Sequence, residues 1–276
     1  MRKNTFSRAK ALKETGVSYL GATKQSAKLM YSFNAGYETY GVYLAPATLA
    51  RDNNHKHINT CPFSQMCADA CLSRAGRNKI EKFAIGADNL STIDKARIKK
   101  THLFYDDREK FMRILVSEIE GAKKRAYKNG KGFAIRLNCT SDLSPEIFTL
   151  NGKNILEIFP DVQFYDYTKV PSRLNLINKY PNYDLTFSFD GTNGEIAKQF
   201  LANGGKVAVV FDLYKGKKQT LPKDWWGYPV IDANGYDMRF LDPSSTIMGL
   251  HYHKTAKDYK NGKYEPVQTP FVIREN

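Results

Sequence analysis

The spacing of apolar residues predicts one long amphipathic helix near the middle of the chain. Between Asp107 and Lys128, apolar side chains recur three and four residues apart, and charged side chains fill most other positions. Asn129, Gly130 and Gly132 come next and predict the end of the helix. The apolar stripe consists of Phe111, Ile114, Leu115, Ile119 and Ala122.

Beyond this helix, short apolar runs alternate with helical patterns. Strands are predicted at 40–45, 133–138, 162–167, 184–189, 206–211, 228–232 and 246–251. Helices are predicted at 78–100, 144–158, 171–179 and 194–202. This alternation predicts a parallel sheet and favours a TIM-type (β/α) barrel, complete or partial. A doubly wound open sheet is the alternative, but no glycine-rich dinucleotide or phosphate-binding motif supports it.

The pattern predicts one main domain. Residues 1–39 are interpreted as a basic N-terminal extension around the core. Residues 40–255 form the single barrel domain, with a cysteine loop at 61–77, and residues 256–276 form a polar C-terminal tail.

Alternation within the strands separates two faces of the predicted sheet. In the strand at 133–138, Phe133, Ile135 and Leu137 share one face, whereas Arg136 and Asn138 share the other. The strands at 184–189 and 206–211 alternate in the same way. The second face becomes polar near the carboxyl ends of the strands, where the active sites of barrels lie. Candidate site residues there are Arg136, Asn138, Ser141, Asp142, Asp166, Lys169 and Ser188.

Three of the four cysteines lie in one short loop after the first predicted barrel strand. Cys61, Cys67 and Cys71 can converge on a metal, and three thiolates would leave one iron of a [4Fe-4S] cluster open for a ligand. Zinc would require a fourth ligand. The candidates are His55 and His57, which lie just upstream of the loop, and Cys139, which lies at the end of the next predicted strand.

The net charge bears on the kind of partner, and the targeting signals bear on the cellular compartment. The formal net charge is +14, which favours polyanionic partners such as a nucleic acid or a nucleotide, although solubility alone also accounts for it. No apolar run is long enough to span a membrane, and the basic N-terminal residues 1–10 lack the apolar core of a signal peptide. We therefore expect a cytoplasmic protein with no membrane partner. Cytoplasmic thiols stay reduced, which favours metal ligands over disulfides.

A three-cysteine loop after a strand, on a barrel with polar strand ends, resembles radical S-adenosylmethionine enzymes. The spacing Cys-x5-Cys-x3-Cys differs from their usual Cys-x3-Cys-x2-Cys. A closer resemblance is to an uncharacterised bacteriophage and prophage family with a three-cysteine loop and a radical-SAM-like barrel. The segments that carry it are 60–62, Cys67, 70–72, 76–77, 136–138, 140–142, 159–169, 185–188, 207–211 and 237–242.

These observations lead to two main hypotheses. The first is a radical-SAM-like iron–sulfur enzyme of a phage, acting on a nucleic acid or nucleotide. Its cluster would lie on the three cysteines, with S-adenosylmethionine as a cofactor. Arg136, Asn138, Ser141, Asp142 and Ser188 would then bind the cofactor, and Asp166 and Lys169 would be catalytic. The second is a nucleic-acid-binding phage protein with a structural zinc or iron–sulfur site.

A third hypothesis is a hydrolase that uses a divalent ion on acidic strand ends. Hard cations prefer carboxylate oxygens, but the three clustered cysteines would be left unexplained. The carboxylates concerned are Asp166, Asp190, Asp212 and Asp232.

Overall fold

The computed structural model describes residues 8–16, 18, 20–21, 27–51, 56–64, 66–68, 70–71, 90–213, 220–252, 259–260, 263–264 and 268–274. The helices in these ranges are α1 (Arg8–Thr15), α2 (Ala27–Asn34), α3 (Thr92–Asp106), α4 (Arg108–Lys128), α5 (Ile155–Ile158) and α6 (Gly194–Ala202). Among the helices described, none is long and apolar enough to cross a membrane.

The strands build one large sheet and two small hairpins. They are β1 (Leu20–Gly21), β2 (Tyr37–Val42), β3 (Gly132–Arg136), β4 (Thr149–Leu150), β5 (Lys153–Asn154), β6 (Gln163–Thr168), β7 (Tyr183–Ser188), β8 (Lys206–Phe211), β9 (Asp224–Trp225), β10 (Tyr228–Asp232), β11 (Ile247–His251), β12 (Tyr259–Lys260), β13 (Lys263–Tyr264) and β14 (Val272–Ile273). The large sheet has the order β1-β2-β3-β6-β7-β8-β11-β10-β9, and β14 also pairs with β8. From β2 to β10 along this order, every pairing is parallel.

The predicted barrel is wrong, because this sheet is open. Closure would require the outer strands of the parallel set, β2 and β10, to pair with each other. Instead β1 pairs with β2 and β9 pairs with β10, both antiparallel. The β9–β10 hairpin turns at Trp226 and Gly227, which have φ angles of 56° and 77°. Two successive residues with positive φ are typical of a tight hairpin turn, so the chain folds back at this edge.

One face of the sheet carries the main hydrophobic core, as the alternation predicts. Phe133, Ile135 and Leu137 lie in one buried cluster with the apolar stripe of α4. The odd-numbered apolar residues of β7 and β8 join the same cluster, together with Phe200 of α6. Because α4 and α6 both contribute side chains to this one cluster, the two helices lie on the same side of the sheet.

The opposite face is polar and is covered by chain rather than open as a lumen. Arg136 donates from Nη1 to Oδ2 of Asp237 at 2.5 Å, and the Tyr167 hydroxyl donates to Oδ1 of the same carboxylate at 3.1 Å. Phe240, from the turn Arg239–Leu241, packs against the ring of Tyr165 at 5.5 Å between centroids. The segment around residues 237–242 therefore seals this face.

Two of the predicted helices are wrong in detail. The segment 144–158 contains a short turn, the β4–β5 hairpin and only the four-residue helix α5. Asn151 and Gly152 adopt positive φ at the hairpin, a turn that breaks a helix. The segment 171–179 forms a 3₁₀ turn at Pro171–Leu176 instead of an α-helix. The first part of the helix predicted at 78–100 lies outside the described residues, and α3 covers the rest.

Replacing Arg136 with Gln should lower the free energy of unfolding by about 3–5 kcal/mol, because the buried carboxylate of Asp237 loses its cation. Urea denaturation would measure this. Lys198→Gln is the matched control, since Lys198 pairs with Glu195 on the surface and such pairs contribute roughly 1 kcal/mol or less. Equal losses in both variants would show that the Arg136 pair has no special role in the fold.

Candidate functional site

The first three cysteines lie at the carboxyl edge of the parallel strands, as the sequence predicts. Cys61 Sγ is 3.9 Å from the carbonyl oxygen of Thr140, just beyond β3. The Cys67 thiol interacts electrostatically with Lys169, which follows β6, and with Asp190, which follows β7. The described part of the cysteine loop, residues 61–64, 66–68 and 70–71, therefore reaches the ends of three neighbouring strands.

The thiol of Cys71 lies close enough to those of Cys61 and Cys67 to influence both. The charge of Cys71 raises the pKa values of both Cys61 and Cys67. Burial is the main reason that the pKa of Cys61 rises to about 11. Burial also raises the pKa of Cys67, against the opposing effect of the Lys169 ammonium group. Cys61 and Cys67 are thus neutral thiols at neutral pH unless a bound cation stabilises their thiolates.

The described residues do not form a complete metal-binding site. In this part of the chain, no group of three or more His, Cys, Asp or Glu side chains is placed to hold a metal ion. The donor set nevertheless suits a soft metal or an iron–sulfur cluster, because it supplies three thiols at one edge.

The residues predicted as a possible fourth zinc ligand do not lie together in the described structure. Cys139 lies with Arg136 and Asp237 on the polar face, and burial raises its pKa to about 12. Tyr43 forms a hydrogen bond with its thiol. His57 is exposed and its backbone bridges to Arg51. His55 lies outside the described residues.

Asp142 links the cysteine loop to the end of β6. Its carboxylate accepts hydrogen bonds from the hydroxyl of Thr168 at 2.8 Å and from the backbone N–H of Lys169 at 2.7 Å. Its own N–H donates to the carbonyl oxygen of Thr60, next to Cys61, at 2.8 Å. The buried guanidinium of Arg173 lies 3.6 Å from the same carboxylate. Asp142 therefore fixes the entry of the loop.

Lys169 supplies the positive charge at this edge. Its ammonium group donates to the hydroxyl of Ser188 at 2.8 Å and lies 5.0 Å from the ring centre of Phe271. Within the described ranges, no carboxylate lies within ion-pairing distance of Lys169. A half-buried cation beside thiols, without a carboxylate partner, is suited to an anionic ligand.

Residues 268–274, called here the C-terminal strap, cross this edge. The Thr269 hydroxyl donates to the carbonyl oxygen of Met66 in the cysteine loop at 2.6 Å. Val272 packs with Ala70 of the loop in a small buried cluster. The strap thereby holds the loop against β8, with which β14 pairs.

Three predicted site residues are instead buried in the scaffold. Asp166 lies on the helix side of β6, where it accepts hydrogen bonds from the N–H of Asn138 at 2.6 Å and from the hydroxyl of Tyr183 at 2.9 Å. The side chain of Asn138 accepts from the Ser141 hydroxyl at 2.9 Å. Asp166 is only 1% exposed, and burial raises its pKa to about 6. This geometry favours a structural role for all three.

The acidic strand ends do not converge. Asp190 accepts hydrogen bonds from the following turn, and Asp212 pairs with Arg274 of the strap at 3.0 Å. Asp232 is exposed and bonds to Asn234. Separate partners leave the divalent-ion hydrolase without a common carboxylate site among the described residues.

The family model described as "Gene product 88" matches residues 5–264 of the chain. The chain belongs to this phage protein family. No curated protein and no solved structure matches it. The prediction of a phage protein family is therefore confirmed. The radical-SAM-like barrel predicted for that family is wrong for this chain, since the sheet is open, and the family match does not itself support the three-cysteine loop as a family feature.

No signal in the sequence indicated several of the residues that hold the candidate site in place. Arg173 and Tyr183 are buried partners of Asp142 and Asp166. Both lie within ordinary amphipathic segments that carry no distinctive motif. Phe271 belongs to the segment predicted as a polar tail, although its ring centre lies 5.0 Å from the Lys169 ammonium group.

Asp166→Asn should lower the free energy of unfolding by about 2–5 kcal/mol, because buried donors on Asn138 and Tyr183 lose acceptors. Asp224→Asn, at an exposed position, is the control. Burial raises the pKa of Asp166 in the folded protein to about 6, from 3.8 for a freely exposed Asp. Stability contributed by the proton on Asp166 is therefore lost as pH rises through about 6.

Urea titrations of wild type and Asp166→Asn across this pH range measure both effects. The difference between the two proteins should change between pH 3.8 and about 6 and level off above it. A difference that is constant over the whole range would contradict the raised pKa.

Proposed function

We propose that this phage protein is an iron–sulfur enzyme whose [4Fe-4S] cluster is held by Cys61, Cys67 and Cys71 at the carboxyl edge of the sheet. The observation that carries the proposal is that the thiols of Cys61 and Cys67 both lie near that of Cys71, at the edge where Cys67 also meets Lys169. When bound, a cluster of this kind supplies one-electron chemistry.

The protein groups have defined tasks in this proposal. Asp142 fixes the position of the loop next to Cys61 through Thr60. Lys169, oriented by Ser188, would bind an anionic group of the cofactor, for which S-adenosylmethionine is the candidate. Phe271 of the strap covers the lysine and excludes water from this corner.

The substrate that fits the proposed iron–sulfur enzyme is a nucleic acid or a nucleotide. Support comes from the net charge of +14 and from the Lys169 ammonium group beside the thiols. Arg136, Asn138 and Ser141 take no part, because each is already engaged with the fold.

A second candidate is a nucleic-acid-binding protein in which the same cysteines hold a structural zinc ion. One observation favours it: the cysteine loop is clamped by the strap through Thr269 and Val272. A metal in this place would join the loop to the sheet, so its removal would unfold the edge.

Anaerobic purification followed by iron, sulfide and zinc analysis tests the main proposal. We expect iron and acid-labile sulfide in the wild-type protein and their loss in Cys61→Ser, Cys67→Ser and Cys71→Ser. Cys139→Ala is the matched control and should keep the cluster, because Cys139 lies on the polar face.

A colourless protein with stoichiometric zinc would contradict the cluster and support the structural site. Thermal unfolding of each serine variant separates the two cases further. Loss of the cluster in a variant that stays folded supports the enzyme, whereas unfolding of the variant supports a structural metal.

Lys169→Met should weaken binding of S-adenosylmethionine about ten- to a hundredfold and leave the iron content unchanged, because a charge-assisted hydrogen bond is lost. Equilibrium dialysis of the cluster-loaded protein measures the affinity. Lys179→Met removes an exposed lysine elsewhere and serves as the control. Unchanged affinity in Lys169→Met would remove Lys169 from the site.

A further inference from the structure

The opposite end of the sheet carries a second feature, which the proposed enzyme does not use. It is called here the amino-end patch and consists of Phe33, Lys124, Tyr127, Lys128 and Lys131. The C-terminal end of α4 supplies three of these residues, Lys131 precedes β3, and Phe33 lies in α2.

Backbone and side-chain contacts hold the two parts of the patch together. The N–H of Gly132 donates to the carbonyl oxygen of Gly36 at 2.9 Å, at the start of the paired strands β2 and β3. The ammonium group of Lys131 donates to the carbonyl oxygen of Phe33 at 3.4 Å. The end of α2 and the residues that follow α4 therefore lie side by side.

The patch is strongly basic. The sequence from 123 to 131, Lys-Lys-Arg-Ala-Tyr-Lys-Asn-Gly-Lys, contains five cations and no acid. Lys123 is paired with Asp161. Among the described residues, no carboxylate lies within ion-pairing distance of Lys124, Lys128 or Lys131. Three lysines are therefore available to an external anion.

Two aromatic rings are exposed among these cations. Tyr127 is 51% exposed and Phe33 is 38% exposed. The Lys131 ammonium group lies 4.6 Å from the ring centre of Phe33, and that of Lys123 lies 5.7 Å from the ring centre of Tyr127. Large apolar rings that remain in water beside cations offer a stacking surface flanked by positive charge.

We propose that the amino-end patch binds single-stranded nucleic acid, with the lysines on phosphates and with Tyr127 and Phe33 stacked against unpaired bases. The charge of the patch complements a phosphate backbone. The exposed rings favour a single strand over a duplex, because paired bases do not present their faces for stacking.

This inference is independent of the metal centre. The patch lies at the amino ends of β2 and β3, whereas the cysteine loop lies at their carboxyl ends. Five residues of β3 separate the two ends, about 16 Å at the usual rise per residue of a strand. Loss of the cysteines should therefore leave binding at the patch unchanged.

Fluorescence anisotropy with a labelled single-stranded oligothymidylate, measured over a range of salt concentrations, tests the proposal. The triple variant Lys124→Gln, Lys128→Gln, Lys131→Gln should bind more weakly. Its slope of log affinity against log salt should fall by about 2, since each lost phosphate contact removes about 0.7 for single strands.

The matched control is Lys179→Gln, Lys198→Gln, Lys223→Gln, which removes the same charge from exposed positions elsewhere. It should keep the wild-type slope. Equal slopes in the two triple variants would overturn the proposal, since binding would then follow net charge and not this surface.

Tyr127→Leu tests stacking separately from charge. We expect an affinity loss of about five- to a hundredfold for the single strand with an unchanged salt slope. A duplex of the same length should bind the wild type more weakly and be insensitive to Tyr127→Leu. Equal affinity for the duplex, or no effect of the substitution, would overturn the assignment to a single strand.

The Cys61→Ser protein distinguishes this inference from the proposed function. Wild-type affinity for the oligonucleotide in this variant supports an independent surface. A parallel loss of cluster and oligonucleotide binding would contradict it.

Discussion

The arrangement of the carboxyl edge depends on neutralising one buried cation, the guanidinium of Arg173. This residue is 1% exposed and lies within ion-pairing distance of Asp142 and Glu146. It also contacts the hydroxyl of Tyr183, which donates to Asp166. An unpaired charge at such a site would cost several kcal/mol. The loop after β3, the end of β6 and the start of β7 are therefore held in one mutual arrangement, and Thr60, beside Cys61, is fixed to it through Asp142.

The elements could be predicted where one face of a strand or helix is buried, because burial imposes a period on the sequence. Phe133, Ile135 and Leu137 show the period of a strand, and the stripe of α4 shows that of a helix. The topology could not be predicted in the same way. It depends on β1 and β9, which have only two residues each and leave no periodic signal.

The candidate site was predictable in its location but not in all its members. Clustered cysteines after a strand were a correct indication of the carboxyl edge. The side of the sheet that Asp166 faces could not be decided from its neighbours, since a shift of one residue in a strand exchanges the two faces. Asp166 shares the face of Phe164, in contact with Tyr183, and is therefore buried. Tertiary contacts of this kind involve single residues and have no sequence motif.

The strap has a consequence for the order in which the protein folds. The hydrogen bond between Thr269 and Met66 joins residues that are 203 positions apart in the chain. Contacts so distant form late, because the entropy of closing the loop must be offset by structure that is already in place. The strands β2 to β8 can assemble from connections between chain neighbours before this contact exists. The cysteine loop is consequently exposed to solvent during synthesis and early folding, and it becomes enclosed when β14 docks.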